Sequence, residues 1–481
     1  MTNRGAFHRT IPAKPFMSSG ILCNDVHSRL NPVRVSRILR PSATMEVAAL
    51  LLDAARANTP VSICGSRHAM GGQQFGEGTI LLDLRNLRDF GDVDRARGLA
   101  EVGAGLTWPE LIEGLHAQQV GKSPVWTIRQ KQTGADDLTL GGSLAANIHG
   151  RGLKMTPIIG DIEAFTLVDA QGDIHRCSRS ENAELFCHAI GGYGCFGVIT
   201  SVLLRLTPRV KVERLVEVTT IDRLIPSFEE RIAAGSLYGD FQFSIDECST
   251  DFLSRGVLSS YRKVEEPREM EEAIELGADD WEELIHLAHT DRAKVFEVYS
   301  GHYLRTHGSI YWSDTHQLGV YLEDYHCELD VRLDSPPASE MITELYVPRE
   351  DLTDFMAQAA DRLRPLGIPV IYGTVRLIER DADSALAWAR EDFACVIFNL
   401  HTEHGEEGIA RSADAFRMLI DLALSFGGSY FLTYHRWATR GQVEAAYPGF
   451  RNFLRMKEKY DPRSCFQSEW WRHYRDLFAT V

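Results

Sequence analysis

His68 sits in a loop, GSRHAMGGQQFGEG (65–78), that holds five glycines in fourteen residues. Without side chains in the way, main-chain amides of such a loop can converge on an anion. A second glycine-rich stretch, QTGADDLTLGGSLAANIHGRG (132–152), is built of small residues through 141–147 and leads to His149. It allows close approach of something large and flat, although helix crossings and tight turns use the same residues. A third, GYGCFG (192–197), satisfies G-x-G-x-x-G. That fingerprint needs a strand before it and a helix after it, so that a pyrophosphate meets the helix N-terminus. Here a helix precedes and a strand, VITSVLLRL, follows. The motif therefore reads as a close-packing turn, not an NAD site.

Other histidines invite a metal reading. His286 and His289, and His401 and His404, are HxxH pairs, and His302, His307 and His316 crowd one segment. No HExxH and no third-ligand cluster accompanies them, so no metal is expected. Neither G-x-S-x-G nor a P-loop occurs, which leaves serine hydrolases and P-loop NTPases without their signatures. Nine cysteines, scattered without a CxxC pair, suggest reduced thiols and a cytoplasmic protein. Fifty-one Lys and Arg against 67 Asp and Glu leave a net charge of −16. Such a surface repels nucleic acid and anionic lipid. No apolar run approaches the ~20 residues of a membrane span.

The elements that must position these residues follow from periodicity. Residues 1–30 read as a loosely ordered leader. A helix over 45–57, capped by Thr44, runs to a short buried strand at 61–64, and further strands are expected at 80–84 and 99–102. Thr107 and Pro109 open another helix. A hairpin is expected over 162–177, turning at 170–173, then a helix at 181–190 and a strand at 198–206. Pro208 and the charged VKVER stretch mark a boundary near 210. Beyond it, 264–300 is charged and helical, strands occupy 340–347, 368–379 and 393–402, and amphipathic helices cover 351–364 and 407–425. A single helix is expected over 445–461. This is an α+β pattern, with an antiparallel sheet backed by helices in the second part.

Taken together and in order, NPVRVSRILRPSATMEV, GSRHAMGG, DDLTLGGSLAANIHGRG, GGYGCFGVIT and the tail YPGFRNFLRMKEKYDPRSCF resemble the vanillyl-alcohol oxidase / p-cresol methylhydroxylase superfamily of flavoproteins. The IHGRG segment is most similar to the aldonolactone and alditol oxidases and to the decaprenyl-phosphoryl-ribose oxidase group. The resemblance implies an FAD-binding domain of PCMH type over 31–210, a substrate domain over 211–425, and a C-terminal segment, 426–481, returning to the first. It implies that Gly65, Ser66, Arg67, His68 and Ala69 wrap the FAD pyrophosphate and that Ile199 lies near the adenine. Gly142, Ser143, Asn147 and Gly150 would line the flavin, and Asp137 and Thr139 would also bind the cofactor.

His68 matches the position bonded to the flavin 8α-methyl group in alditol oxidases; the plainer reading is a loop histidine bonded to phosphate. Arg67 and Ala69 depart from the family loop, and no cysteine matches a second covalent attachment. His149 matches an active-site histidine, or is a packed core histidine. Arg376, in IYGTVRLIERDAD, is the counterpart of an arginine over the flavin, able to hold a substrate hydroxyl; otherwise it is a surface strand arginine. The segment SYFLTYHRWATRG (429–441) corresponds to the last flavin-facing strand, where Tyr434 or His435 would receive the hydroxyl proton. It lacks the relatives' lysine. Asn147, where oxidases carry Gly or Ala, would hinder dioxygen.

The function implied is oxidation of an alcohol group on a carbohydrate, polyol or lactone by hydride transfer to FAD, with dioxygen or another electron acceptor. Flavin-dependent oxidation or reduction of a sterol, aromatic or other secondary metabolite is the alternative, and a non-catalytic flavin- or sugar-binding module the reading from another class.

Overall fold

The computed structural model describes residues 20–264, 268–270, 275–319, 322 and 324–479. Most of the expected leader, and parts of the charged stretch at 264–300, lie outside the described residues.

Strands Arg37–Leu39, Ile80–Asp83 and Val61–Cys64 form a parallel sheet with Ile80–Asp83 in the middle. All four central residues are buried, as a strand covered on both faces requires. Helix Thr44–Arg56 covers this sheet's neighbourhood with one apolar stripe, Val47, Ala48, Leu51 and Ala54. Its cap position is Ala43, which makes no side-chain cap bond, and Thr44, the first helical residue, donates its hydroxyl to Thr200 Oγ1. A five-stranded antiparallel sheet follows, in the order Ile174–Ser178, Ile162–Val168, Val198–Arg205, Leu99–Gly103, Phe90–Asp94. Helix Trp108–Gln118 opens on a capping box in which the Thr107 amide bonds Glu110 Oε2 at 3.0 Å. A cap of this kind is typically worth about 1 kcal/mol. Helix Ala183–Ala189 precedes the GYGCFG turn and strand Val198–Arg205 follows it. Gly197 there has φ +153°, and a Cβ would lie 2.6 Å from Leu167.

The second part is one eight-stranded antiparallel sheet: Ile310–Trp312, Lys211–Thr220, Arg255–Lys263, Ser236–Phe243, Val370–Ile378, Phe393–Glu403, Ala338–Pro348, Ser429–Tyr430. Helix Glu406–Ser425 packs on one face, where Ser412 Oγ meets Thr402 Oγ1 at 2.8 Å. Since side chains alternate along a strand, His401, Asn399 and Ile397 present the other face. Strands Lys211–Thr220, Ser236–Phe243 and Arg255–Lys263 are absent from the sequence reading. Charged positions such as Glu213, Arg214 and Glu217 break the apolar alternation by which a half-buried strand is recognised.

Downstream of Tyr430 the chain leaves the sheet, so the strand expected through 441 is confined to Ser429–Tyr430. Gln73 Nε2 holds the Thr433 carbonyl at 2.6 Å, and Thr439 opens helix Arg440–Ala446. The helix expected over 445–461 is two, Arg440–Ala446 and Phe450–Tyr460, broken around Pro448 and Gly449. A last helix, Glu469–Ala479, buries Trp470, Trp471, Tyr474 and Phe478. The tail rejoins the first sheet: Val61 N donates to Cys465 O at 2.7 Å, and Gln467 N to Val61 O at 2.8 Å. No described helix is long and apolar enough to cross a membrane.

Candidate active site

A cavity of about 970 Å³ lies between the glycine-rich segments and the open face of the large sheet. That is near the top of the range for small-molecule sites.

One wall is nearly all backbone and small side chains. Gly65 to Ala69 contribute the loop, Gly141, Gly142, Ser143, Ala145 and Ala146 the helix Leu140–Ala146, and Gly194 and Ile199 the turn and strand. Loop and helix interlock at one point: a Cβ on Gly65 would sit 2.0 Å from Thr139 Oγ1. Thr139 is itself the helix cap, accepting from Gly142 N at 3.3 Å. Amides of Ser66, Arg67 and Ala69 donate to no group among the described residues. Ser143 Oγ, Thr133 Oγ1, Arg67 Nε and Gln74 Oε1 are buried on this lining without partners among the described residues. Orphaned donors and acceptors around a slot cleared of side chains fit a flat, polar, phosphate-bearing group. His68 lies on the same wall with its Nδ1 2.9 Å from His27 Nε2. Burial first, then the His68 ring, pushes His27 down to about 3.

The opposite wall is made of side chains from neighbouring strands, joined by His149 and Tyr434 from the loops beside them. Glu344, from Ala338–Pro348, is its centre. Its Oε1 lies 2.5 Å from His149 Nε2 and accepts from Tyr346 at 2.5 Å, while Oε2 accepts from Tyr434 at 3.1 Å. Burial would raise this carboxyl, but the His149 charge and the hydrogen bonds hold it down at about 2. His149 Nδ1 donates to Gly150 O at 2.9 Å, fixing the ring. Tyr434 also accepts from Gln132 Nε2 at 3.2 Å. Burial, then the adjacent carboxylate, keeps its phenol well above the ordinary range. Arg376 and Arg214 line the cavity, each only 8% exposed, and neither guanidinium has a carboxylate or carbonyl partner among the described residues. Arg214 instead lies against the faces of Tyr261, Tyr303 and Tyr311.

The structure thus brings His149, Arg376 and Tyr434 together on one wall, and Gly65, Ser66, Arg67, His68, Ala69, Thr139, Gly142, Ser143 and Ile199 on the other. Four expected residues do not line the cavity. His435 is buried against Phe416 and Trp437, and burial, with Arg417 nearby, pushes its imidazole down to about 3. It has no path to a substrate proton. Asn147 takes a left-handed turn at the helix end (φ +53°) and donates to Asp381 at 2.8 Å, away from the cavity. It is no gate for dioxygen. Asp137 is exposed, while its neighbour Asp136 reaches the cavity and pairs with buried Lys131 at 2.7 Å. Gly150 packs on Lys131, where a Cβ would meet the carbonyl at 2.6 Å. Sequence reasoning missed Glu344 and Arg214. The available signal was a glutamate inside the apolar run MITELYV, since an unpaired carboxylate is almost never buried.

Residues 35–178 match a family described as the FAD binding domain. That match, with the dehydrogenases named next, supports the FAD-binding oxidoreductase superfamily of vanillyl-alcohol oxidase / p-cresol methylhydroxylase type. Among curated proteins it is 32% identical to cytokinin dehydrogenase 10 of Oryza sativa subsp. japonica over 197 residues, 38% of this chain and 34% of that protein. To L-gulono-1,4-lactone dehydrogenase of Mycobacterium tuberculosis (strain ATCC 25618 / H37Rv) it is 22% identical over 439 residues, 91% of this chain and 95% of that one. Cytokinin dehydrogenase 2 of Arabidopsis thaliana is 28% identical over 34% of this chain and 32% of its own. The chain spans about a third of the length of the cytokinin dehydrogenases it matches.

Proposed function

We propose that this protein is an FAD-dependent oxidoreductase that oxidises a CH–OH group of an oxygen-rich substrate, of the lactone or polyol kind. The observation that carries this reading is the convergence of Glu344, Tyr434 and Arg376 on one wall of a cavity whose other wall fits FAD. When bound, FAD supplies the hydride acceptor; the rest is the work of this chain. Arg376 donates to the substrate hydroxyl oxygen and steadies the charge that develops there. The hydroxyl proton passes to Tyr434 Oη as the tyrosine's own proton moves to Glu344 Oε2. Glu344 is therefore the base and Tyr434 the relay, which suits a phenol too weakly acidic to ionise by itself. His149 positions Glu344 through its Nε2 contact with Oε1. Arg214 holds an oxygen or anionic group at the far end.

The likeness to an L-gulono-1,4-lactone dehydrogenase along nearly the whole chain supports a lactone substrate. A second reading, an aromatic alcohol, is favoured by the tyrosines around the far end, Tyr261, Tyr299, Tyr303, Tyr311 and Tyr372. His68 is the proposed covalent attachment point, and flavin remaining with the polypeptide after acid precipitation is the expected result. The electron acceptor, dioxygen or another, is read from the rate at which reduced protein regains its colour in air.

The test of function is anaerobic addition of L-gulono-1,4-lactone, a sugar alcohol, a benzylic alcohol and a cytokinin to the yellow protein. Bleaching by the first or second supports the proposal. Bleaching by the benzylic alcohol or the cytokinin alone replaces the substrate class, and none by any of the four favours a binding module.

A further inference from the structure

Beside this centre lies a second one that the proposed reaction does not use. Four elements bring three imidazoles to one carboxylate: His289 from helix Ala278–Thr290, His326 at the start of helix His326–Leu333, His401 from strand Phe393–Glu403, and Glu340 from strand Ala338–Pro348. Glu340 and His401 are direct partners across the two strands. The three ring centroids form a triangle with sides of 5.2, 5.9 and 6.0 Å. One nitrogen of each ring and a carboxylate oxygen all lie within 4.8 Å of one another. His289 Nε2 is 3.1 Å and His401 Nδ1 3.3 Å from Glu340 Oε1, and His326 Nε2 contacts Oε2. Neither HxxH pair supplies both ligands: each gives one histidine, and His326 comes from outside both.

With all three imidazoles neutral, the hydrogen bonds of this cluster do not balance, although Tyr325 also donates to Glu340 Oε2. A neutral imidazole has one N–H. His289 directs its Nδ1 at the Ile285 carbonyl, 2.9 Å away, which can only accept. His326 directs its Nδ1 at Asp330 Oδ1, also at 2.9 Å. Their Nε2 lone pairs therefore face the lone pairs of Glu340. Protonating both rings instead would set two imidazolium charges 6.0 Å apart. A cation between the three nitrogens and the carboxylate turns every lone pair toward a positive charge. The outward bonds to Ile285 and Asp330 then become the supports that metal-bound histidines typically have.

We propose that His289, His326, His401 and Glu340 bind a divalent transition metal, zinc first. Three imidazoles and one carboxylate suit zinc and disfavour calcium or magnesium, which prefer all-oxygen shells. Glu340 and His326 both line the cavity, so any further coordination position is filled from the cavity side, by water or an oxygen donor. Glu340 and Glu344 share a face of one strand four residues apart, so their Cα atoms lie roughly 13 Å from each other. The cluster is a separate site, not part of the proton relay.

The experiment is zinc content and zinc titration of the flavin-loaded protein after stripping with dipicolinate, with magnesium as the control. About one equivalent of zinc per chain is expected to survive gel filtration and raise Tm, with no such effect from magnesium. Asp330→Asn, which touches no metal, is expected to weaken zinc roughly 10–100-fold. His326→Ala with His401→Ala is expected to abolish retention. Flavin content reports whether each variant is folded. Failure of the stripped wild type to retain zinc overturns the proposal, as does equal retention by the double variant. Neither outcome depends on turnover, so this site and the proposed reaction fail separately.

Discussion

Along one wall of the cavity the protein presents backbone, and along the other it presents side chains. The first wall is assembled from three short stretches, each nearly continuous in sequence: the 65–69 loop, the 139–146 cap and helix, and the 194–199 turn and strand. Its shape depends on what is missing, as Gly65 shows, with no room for a Cβ beside Thr139. The second wall draws single residues from strands and loops far apart in the chain, Glu344 meeting His149 and Tyr434 across 195 and 90 positions. A cofactor of fixed chemistry can be held by amides and small residues. A reaction needs charged groups that only tertiary packing can bring together and desolvate.

If that division is right, substitutions on the two walls fail in different ways. The largest effect is expected from Glu344→Gln, which keeps the shape and removes the base. Turnover should fall roughly 10²–10⁴-fold with flavin content unchanged. Loss of flavin as well would break the comparison. Arg376→Ala should follow, lowering turnover on the order of 10²–10³-fold, again with full flavin. On the other wall the pattern reverses. Gly65→Ala forces a methyl against Thr139 and should cost about 1–3 kcal/mol of stability. It should also lower the ratio of flavin to protein absorbance, while the flavin-loaded fraction turns over at close to the wild-type rate.

The smallest effect concerns a charge on neither wall. Burial would raise the Asp314 carboxyl, yet hydrogen bonds from His116 and Thr127 and the charge of Arg209 hold it down at about 2, against an ordinary 3.8. A carboxyl depressed in the folded state stabilises the fold above its unfolded pKa and loses that contribution as pH falls. Asp314 should contribute on the order of 2 kcal/mol near neutrality, lost between about pH 4 and pH 2. Asp314→Asn should flatten that part of the acid-denaturation curve. A variant curve with the same acid limb would place the loss on other carboxylates.

The same division accounts for what the sequence revealed. The glycine loop, the small-residue helix and the GYGCFG turn are local patterns, and the strands and helices around them follow from periodicity. His149, Arg376 and Tyr434 were reached only through the resemblance, and it also carried His435 and Asn147, whose side chains point elsewhere. Spacing places a residue on an element but not on a face. Glu344 was hidden because its partners lie on other elements, and Arg214 because a strand lining a polar cavity loses its alternation. Of the three histidines around Glu340, His289 and His401 were visible only as members of separate HxxH pairs and His326 not at all, because their meeting at Glu340 is tertiary.

The central claim is that Glu344 and Tyr434 act as one unit on the substrate proton. Its most direct test is the rate of anaerobic flavin bleaching, by whichever of the four test compounds bleaches the flavin, in wild type, Tyr434→Phe, Glu344→Gln and the double variant. Groups acting in series are not additive, so the double variant should be no slower than the slower single one. Losses that multiply, or a Tyr434→Phe variant as fast as wild type, would contradict the relay.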